Sequence, residues 1–338
     1  MIRRLISVSA VVVALPIAVL TAPIWLTLAI VADVVGRLWR FPSLRLGLFG
    51  IVYLVHQWAA VALACWLVPV ERLTGRSQLL RYRDVQLWWA ASLLRWSRRL
   101  LGVDFKIEDS DISDFPAGRF VLLSRHASMV DAALPMVLVV GHADRRTHYV
   151  LKDELLWDPA IGTFGPLLGN HFVARGSRTE DDLDGIARLA ANAAPNSGMV
   201  IFPEGTYSTG QARHRILRSL NRKVSAGELE PDVLEQVNRL ENLLPPKPAG
   251  TVTMLTNRPD ADVVILGHVG LEGVAHLRGL RHRLPLRKPV VVRWWVHPRG
   301  ELPTDPEQLE DWLQDRWVEL DRWVTDALGR TSLGRCQQ

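Results

Sequence analysis

The sequence predicts an α/β protein with an apolar hairpin at its N-terminus, and three observations carry that expectation. Two runs without a charged residue, each long enough to span a bilayer, lie within the first 70 positions. After Gly102 the texture changes to short β-branched runs separated by helical stretches, as strands and helices alternate in an α/β domain. The chain has 338 residues, enough for two ordinary domains or one large one with a full core.

The first apolar run extends from Leu5 to Ala32; in the second, Leu46 to Val70, only His56 and Gln57 are strongly polar. Arg3-Arg4 followed by an apolar stretch would also open a signal peptide. This stretch is too long for one and lacks a clear small-residue cleavage site, so a retained anchor is expected. Pro16 and Pro23 are expected to break the first run, and the link carries Arg37, Arg40 and Arg45. Further arginines at 72, 76, 81 and 83 follow the hairpin, which favours a cytoplasmic location for both ends and for the remaining chain. A re-entrant hairpin in one leaflet accounts for the prolines and basic link equally well. The expected division is a membrane hairpin over 1–75 and an α/β domain over 76–338, at the plasma or inner membrane.

Residues 76–101 read as a helix, with Leu80, Leu87, Leu94 and Leu101 at heptad spacing among six Arg and Trp88, Trp89 and Trp96. Two readings stand: a leucine stripe packed on the core, or an interfacial helix with indoles at headgroup depth and Arg on anionic lipid. Candidate strands are Arg119–Ser124, Thr147–Leu151, His171–Ala174, Gly198–Phe202, Asp262–Val269 and Pro289–Val296. Segment 210–245 reads as a solvated helical insertion. Segment 304–328 reads as a helix with Leu309, Leu313, Leu320, Val324 and Leu328 on one side.

A mean hydropathy of +0.09 is high for a chain free in water, in keeping with membrane contact. Only five of the 40 basic residues are Lys, and the formal net charge is +5. Genomic base composition explains an arginine bias, and so does phosphate binding, for which the planar guanidinium is suited. Nucleic-acid binding fits poorly, because the arginines are spread along a chain that also carries long apolar runs. Cys65 and Cys336 form neither a disulfide framework nor a zinc spacing.

The chemistry-bearing residues follow two of the candidate strands. Arg125-His126-Ala127-Ser128-Met129-Val130-Asp131 comes directly after Phe120–Ser124, at a strand end where reactive side chains are displayed. In a regular helix a five-residue step separates side chains by about 140°, so His126 and Asp131 meet only if His126 precedes the helical turn. Ser128, three residues before Asp131, has capping-box spacing and supplies that geometry. Met199–Phe202 is likewise followed by Pro203-Glu204-Gly205-Thr206, a turn that can aim backbone N–H groups at an anion or a developing oxyanion.

His126-x4-Asp131, Gly169-Asn170-His171-Phe172-Val173-Ala174-Arg175 and Phe202-Pro203-Glu204-Gly205-Thr206 resemble, in order and spacing, the first three blocks of glycerolipid acyltransferases of the 1-acyl-sn-glycerol-3-phosphate type. Tyr149–Leu155 is similar to the family's Lys-x-Glu-Leu segment. Asn242–Gly250 and Trp312–Trp317 resemble one branch, which includes lysocardiolipin acyltransferase and related bacterial enzymes. The sequence departs from the pattern at Arg125, usually Asn, at Tyr207, often Arg, and in the fourth block, Val264–His268, which lacks its proline.

The resemblance implies a central mixed sheet flanked by helices and direct acyl transfer from a thioester, acyl-CoA or acyl carrier protein, to a lysophospholipid hydroxyl. His126 would be the general base and Asp131 would fix its tautomer. Gly205 would supply part of an oxyanion hole, Glu204 and Thr206 would shape the acceptor site, and Arg175, Lys152 and Lys247 would hold phosphate. Lysophosphatidic acid is the first acceptor implied; a lysocardiolipin or lysophosphatidylglycerol is second. A hydrolase using the same pair on water and a non-catalytic lipid binder are the rivals. His142, His148, His171, His214, His268, His276, His282 and His297 show no metal-ligand spacing, so neither a metal nor a cofactor is expected.

Overall fold

The computed structural model describes residues 2–128, 131–142, 146–174, 180–228, 232–274 and 280–333. The strands are β1 (Phe105–Ile107), β2 (Phe120–Ser124), β3 (Arg146–Lys152), β4 (His171–Val173), β5 (Ser197–Ile201), β6 (Asp262–Val269) and β7 (Val290–His297). The principal helices are α1 (Ile2–Leu20), α2 (Ala22–Val35), α3 (Pro42–Thr74), α4 (Leu79–Leu101), α5 (Pro159–Leu167), α6 (Glu180–Asn192), α7 (Gly210–Ser225), α8 (Asp232–Asn238), α9 (Pro248–Thr256) and α10 (Pro306–Leu333). They form two compact units, one of 1–104, 136–185 and 277–289, the other of 105–135, 186–276 and 290–338. The division therefore does not follow residue 75; the hairpin shares its unit with α4, β3, β4 and α5.

In the hairpin unit the first apolar run does not stop at Pro16. Helix α1 continues through it and breaks at Thr21, after which α2 turns by 70°. Pro23 sits in the first turn of α2, where a missing N–H costs nothing because those donors have no intrahelical partner. The buried Asp33 carboxylate accepts the backbone N–H groups of Ser43 and Leu44, satisfying the first turn of α3 and placing negative charge at its positive end. Helix α3 is 33 residues long and apolar enough to cross a membrane. Its polar residues turn inward: Gln57 donates to Asp158 Oδ2 at 2.6 Å and accepts from Ala160 N–H at 2.9 Å, and Tyr53 donates to the same carboxylate. Below them Ala60, Ala64 and Leu67 pack with Tyr82, Ala160, Phe164 and Leu168. The first turn of α1 reaches the same region, through Arg3 to Asp153 and Arg4 to Thr163.

The buried residues of α4 are Tyr82, Ala90, Ser97 and Leu101; of the leucine heptad only Leu101 is among them, and its first member Leu80 is exposed. Trp88 is also exposed. Strands β3 and β4 pair in parallel, Val150 opposite His171.

The second unit holds five strands in the order β1-β7-β6-β2-β5. Strands β5, β2 and β6 are parallel, β7 is antiparallel to β6, and β1 is parallel to β7. The sheet is mixed, as the resemblance implied. Every residue of β2 and β5 is buried, as expected of uninterrupted apolar runs covered on both faces. Helix α10 lies over β6 at Gly267, where a Cβ would stand 2.7 Å from Leu320 and 2.9 Å from Trp323. Side chains alternate along a strand, so His268 points to the opposite face from that helix.

Candidate active site

Strand β2 ends at Ser124, and the chain leaves the sheet through Arg125 and His126 before Asp131 opens a short 3-10 turn, Asp131–Ala133. His126 thus precedes the turn that carries Asp131, and its Nδ1 lies 3.0 Å from Asp131 Oδ1. The other carboxylate oxygen accepts the N–H groups of Ala127 at 2.5 Å and Ser128 at 2.7 Å. Burial alone would raise the Asp131 carboxyl. Hydrogen bonds from His126 and His268 outweigh it and hold the group well below the ordinary carboxylate range. An ionised Asp131 is an acceptor only, so His126 carries its proton on Nδ1 and leaves Nε2 as the basic nitrogen. The Asp131 side chain is wholly buried, whereas that of His126 is 12% exposed and within reach of a substrate.

The loop after β5 grips His126. Glu204 Oε1 accepts the His126 N–H at 2.9 Å, and Ser208 N–H donates to the His126 carbonyl at 2.7 Å. The rings of Phe202 and Tyr207 flank the imidazole at 4.5 and 4.4 Å between centroids. Glu204 is buried, and its second oxygen accepts from Leu244 N–H at 3.1 Å. Burial pushes its carboxyl up to about 8. Its two oxygens therefore hold His126 and the loop at Leu244, a task that differs from the acceptor-shaping role given by the resemblance.

A second correction concerns Gly205. Its N–H donates to Phe202 O at 2.9 Å, closing the turn, so it is not aimed at an oxyanion. The glycine is required for another reason: its φ of +65° lies in the left-handed region, and a Cβ would stand 2.9 Å from Lys247 Nζ. Lys247 is accordingly beside this turn, with its own N–H donating to Pro203 O. Thr206 is half-buried in the same turn. Lys152 ends β3 in the other unit. Arg175 lies outside the described residues.

Three features near the pair were not legible from motif spacing. His268, at the end of β6, is fully buried with Nε2 3.3 Å from Asp131 Oδ2. Arg125, also fully buried, donates to the His268 carbonyl and pairs with Glu272 at 2.7 Å. Asp321 of α10 accepts the N–H groups of Glu241, Asn242 and Leu243, fixing the loop that delivers Leu244 to Glu204. Among the described residues no group of three or more His, Cys, Asp or Glu is placed to hold a metal ion.

Residues 106–254 match the model of the Acyltransferase family. A 1-acyl-sn-glycerol-3-phosphate acyltransferase of Cocos nucifera is 32% identical over 117 residues, 34% of each chain. The epsilon form of that enzyme from Mus musculus is 25% identical over 221 residues, 61% of this chain and 57% of the relative. A lyso-ornithine lipid O-acyltransferase of Pseudomonas aeruginosa is 26% identical over 176 residues, 52% of this chain and 60% of the relative. The chain thus spans between about a third and three fifths of the lengths of these curated relatives. The crystal structure of a 1-acyl-sn-glycerophosphate acyltransferase, PlsC, from Thermotoga maritima superposes with a TM-score of 0.46 at 14% identity, over 80% of this chain and 97% of that one. The His126–Asp131 pair and the loop that grips it fall inside the span, residues 106–254, that matches the model of the Acyltransferase family.

Proposed function

We propose that this protein is a membrane-bound acyltransferase that moves a fatty acyl group from an acyl thioester to the hydroxyl of a lysophospholipid. The observation that carries the reading is His126 Nδ1 held 3.0 Å from a buried, ionised Asp131, inside a span that matches the Acyltransferase family. His126 Nε2 takes the acceptor hydroxyl proton as the oxygen attacks the thioester carbonyl; the carbon–sulfur bond breaks as the tetrahedral intermediate collapses, and His126 returns the proton to the leaving thiolate. Asp131 steadies the imidazolium formed on the way. The names of two relatives support 1-acyl-glycerol-3-phosphate as first acceptor. The name of the Pseudomonas relative favours a second reading, a lyso-ornithine lipid as acceptor.

Membrane association rests on α3 and on the apolar side chains that the hairpin leaves exposed, among them Val13, Ile17, Leu20, Ile24, Leu28, Val35 and Trp66. The arginines around the hairpin favour a cytoplasmic active site.

Detergent-purified protein given labelled acyl-CoA or acyl carrier protein and a panel of lysolipids, with products identified by mass spectrometry, tests the activity, the donor and the acceptor together. Diacyl product is expected, and free fatty acid released without an acceptor would establish a hydrolase instead. His126→Ala and Asp131→Asn should each remove most transfer while leaving folding intact. Arg175→Ala should cost roughly 10–100-fold in kcat/KM on a phosphorylated acceptor and much less on a neutral one. An equal loss on both would remove Arg175 from the phosphate site.

A further inference from the structure

Asp131 is bonded from two sides. On one is His126; on the other is His268, which comes from β6, in the fourth block, Val264–His268, where the chain departs from the family pattern. His268 Nε2 lies 3.3 Å from Asp131 Oδ2 and 3.3 Å from the Arg125 carbonyl. Both neighbours are acceptors, so Nε2 carries a proton and is shared between them. Among the described residues its Nδ1 has no hydrogen-bond partner. A protonated Nδ1 would therefore be a buried N–H with nothing to receive it, whereas a bare Nδ1 leaves only a weaker acceptor unused. The arrangement fits a neutral, Nε2-protonated imidazole.

Its surroundings hold it in that pose. Gly267 lets α10 press on one face of β6 and turns His268 to the other. Arg125, where the family usually has Asn, is drawn inward by Glu272 and by the His268 carbonyl. Among the described residues, the charged and titratable groups around His268 are Asp131 and Arg125 from the β2 loop and Glu272 after β6, with His126 and Glu204 beyond Asp131 and Arg125.

We infer that His268 is a positioning residue of this site: a fixed N–H donor that orients Asp131 and moderates its pull on the His126 proton. The inference rests on the acyl-transfer reading only for its kinetic readout. Without the donor, Asp131 concentrates more negative charge on His126, so the imidazolium is favoured and the base becomes available only at higher pH.

The experiment compares His268→Gln, which keeps an N–H near the Nε2 position, with His268→Leu, which removes it. In His268→Leu, kcat should fall roughly 10–100-fold. Its KM should stay within about twofold, since no substrate contact is lost. The acid limb of the kcat/KM profile should move up by as much as about one pH unit. His268→Gln should keep the wild-type limb and most of kcat. A folded His268→Leu variant with wild-type kcat and an unmoved limb overturns the inference, and so do equal losses in both variants with no shift. If His268→Leu does not fold, ¹⁵N-histidine spectra of the wild-type protein decide. At neutral pH one imidazole should show the Nε2-protonated tautomer, and it should be the signal that His268→Gln deletes. An Nδ1-protonated His268 overturns the inference. The spectra need no turnover, so inactivity on the lysolipid panel would count against acyl transfer alone.

Discussion

Glu204 shows how one buried side chain can tie together two loops that are distant in the chain. Its two oxygens receive the N–H groups of His126 and Leu244, so removing them leaves two donors unpaired. A stranded buried donor costs about 1–3 kcal/mol. The group also sets a pH dependence. Its carboxyl stands near 8 in the folded chain and near 4.5 when unfolded, so the folded state binds the extra proton between those values. Stability contributed by that proton is fully present below the lower value and is lost as pH rises through the upper one. Asp131, with a depressed carboxyl, acts in the opposite sense: its contribution is present at neutral pH and lost on acidification. Glu204→Gln should therefore lower Tm at acid pH, because an amide offers one acceptor to two donors, and should flatten the fall in Tm between about pH 5 and pH 8. A variant whose Tm fell as steeply as wild type would show that Glu204 is not the titrating group.

At the scale of elements, the site is assembled by relays between distant segments. Asp321 on α10 holds residues 241–243, Leu244 then reaches Glu204, and Glu204 holds His126. Asp321→Ala should strand three N–H groups, cost at least about 2 kcal/mol in denaturant unfolding and lower kcat although it lies far along the chain. Unchanged stability would mean that water replaces the carboxylate. Much of this scale was legible in the sequence. The runs that became β2, β5 and β6 have apolar centres because both faces are covered, and the spacing from His126 to Asp131 already required a loop before a turn. Other parts depend on partners that spacing does not reveal. Phe105–Ile107 is a strand only because β7 pairs with it, the buried stripe of α4 is chosen by what packs there, and His268 meets Asp131 through sheet order.

For the whole molecule, the two units divide the labour that composition suggested. The hairpin unit spends the polar residues of α3 internally, on Asp158 and Ala160, and leaves apolar side chains outside. High salt should leave the chain on membranes and detergent should release it, as fractionation and immunoblotting can show. Complete release by salt alone would mean that these side chains bind another protein surface. Helix α7 carries Arg213, Arg215, Arg218, Arg222 and Lys223 with no acidic residue, a share of the net positive charge concentrated in one element.

The pairing of β2 with β6 sets a limit on how the protein can be cut. The span that matches the family ends at residue 254, before β6 begins. A fragment trimmed to that span would keep β2 but strip the partner bonded along Phe120–Ser124, baring the edge of a strand that is wholly buried in the intact chain. Such an edge recruits other copies, so the fragment should elute as aggregate in size-exclusion chromatography, whereas one extended through Leu333 should not on that account. Minimal fragments for crystallisation or directed evolution therefore have to be drawn by strand order, with the C-terminal quarter of the chain retained.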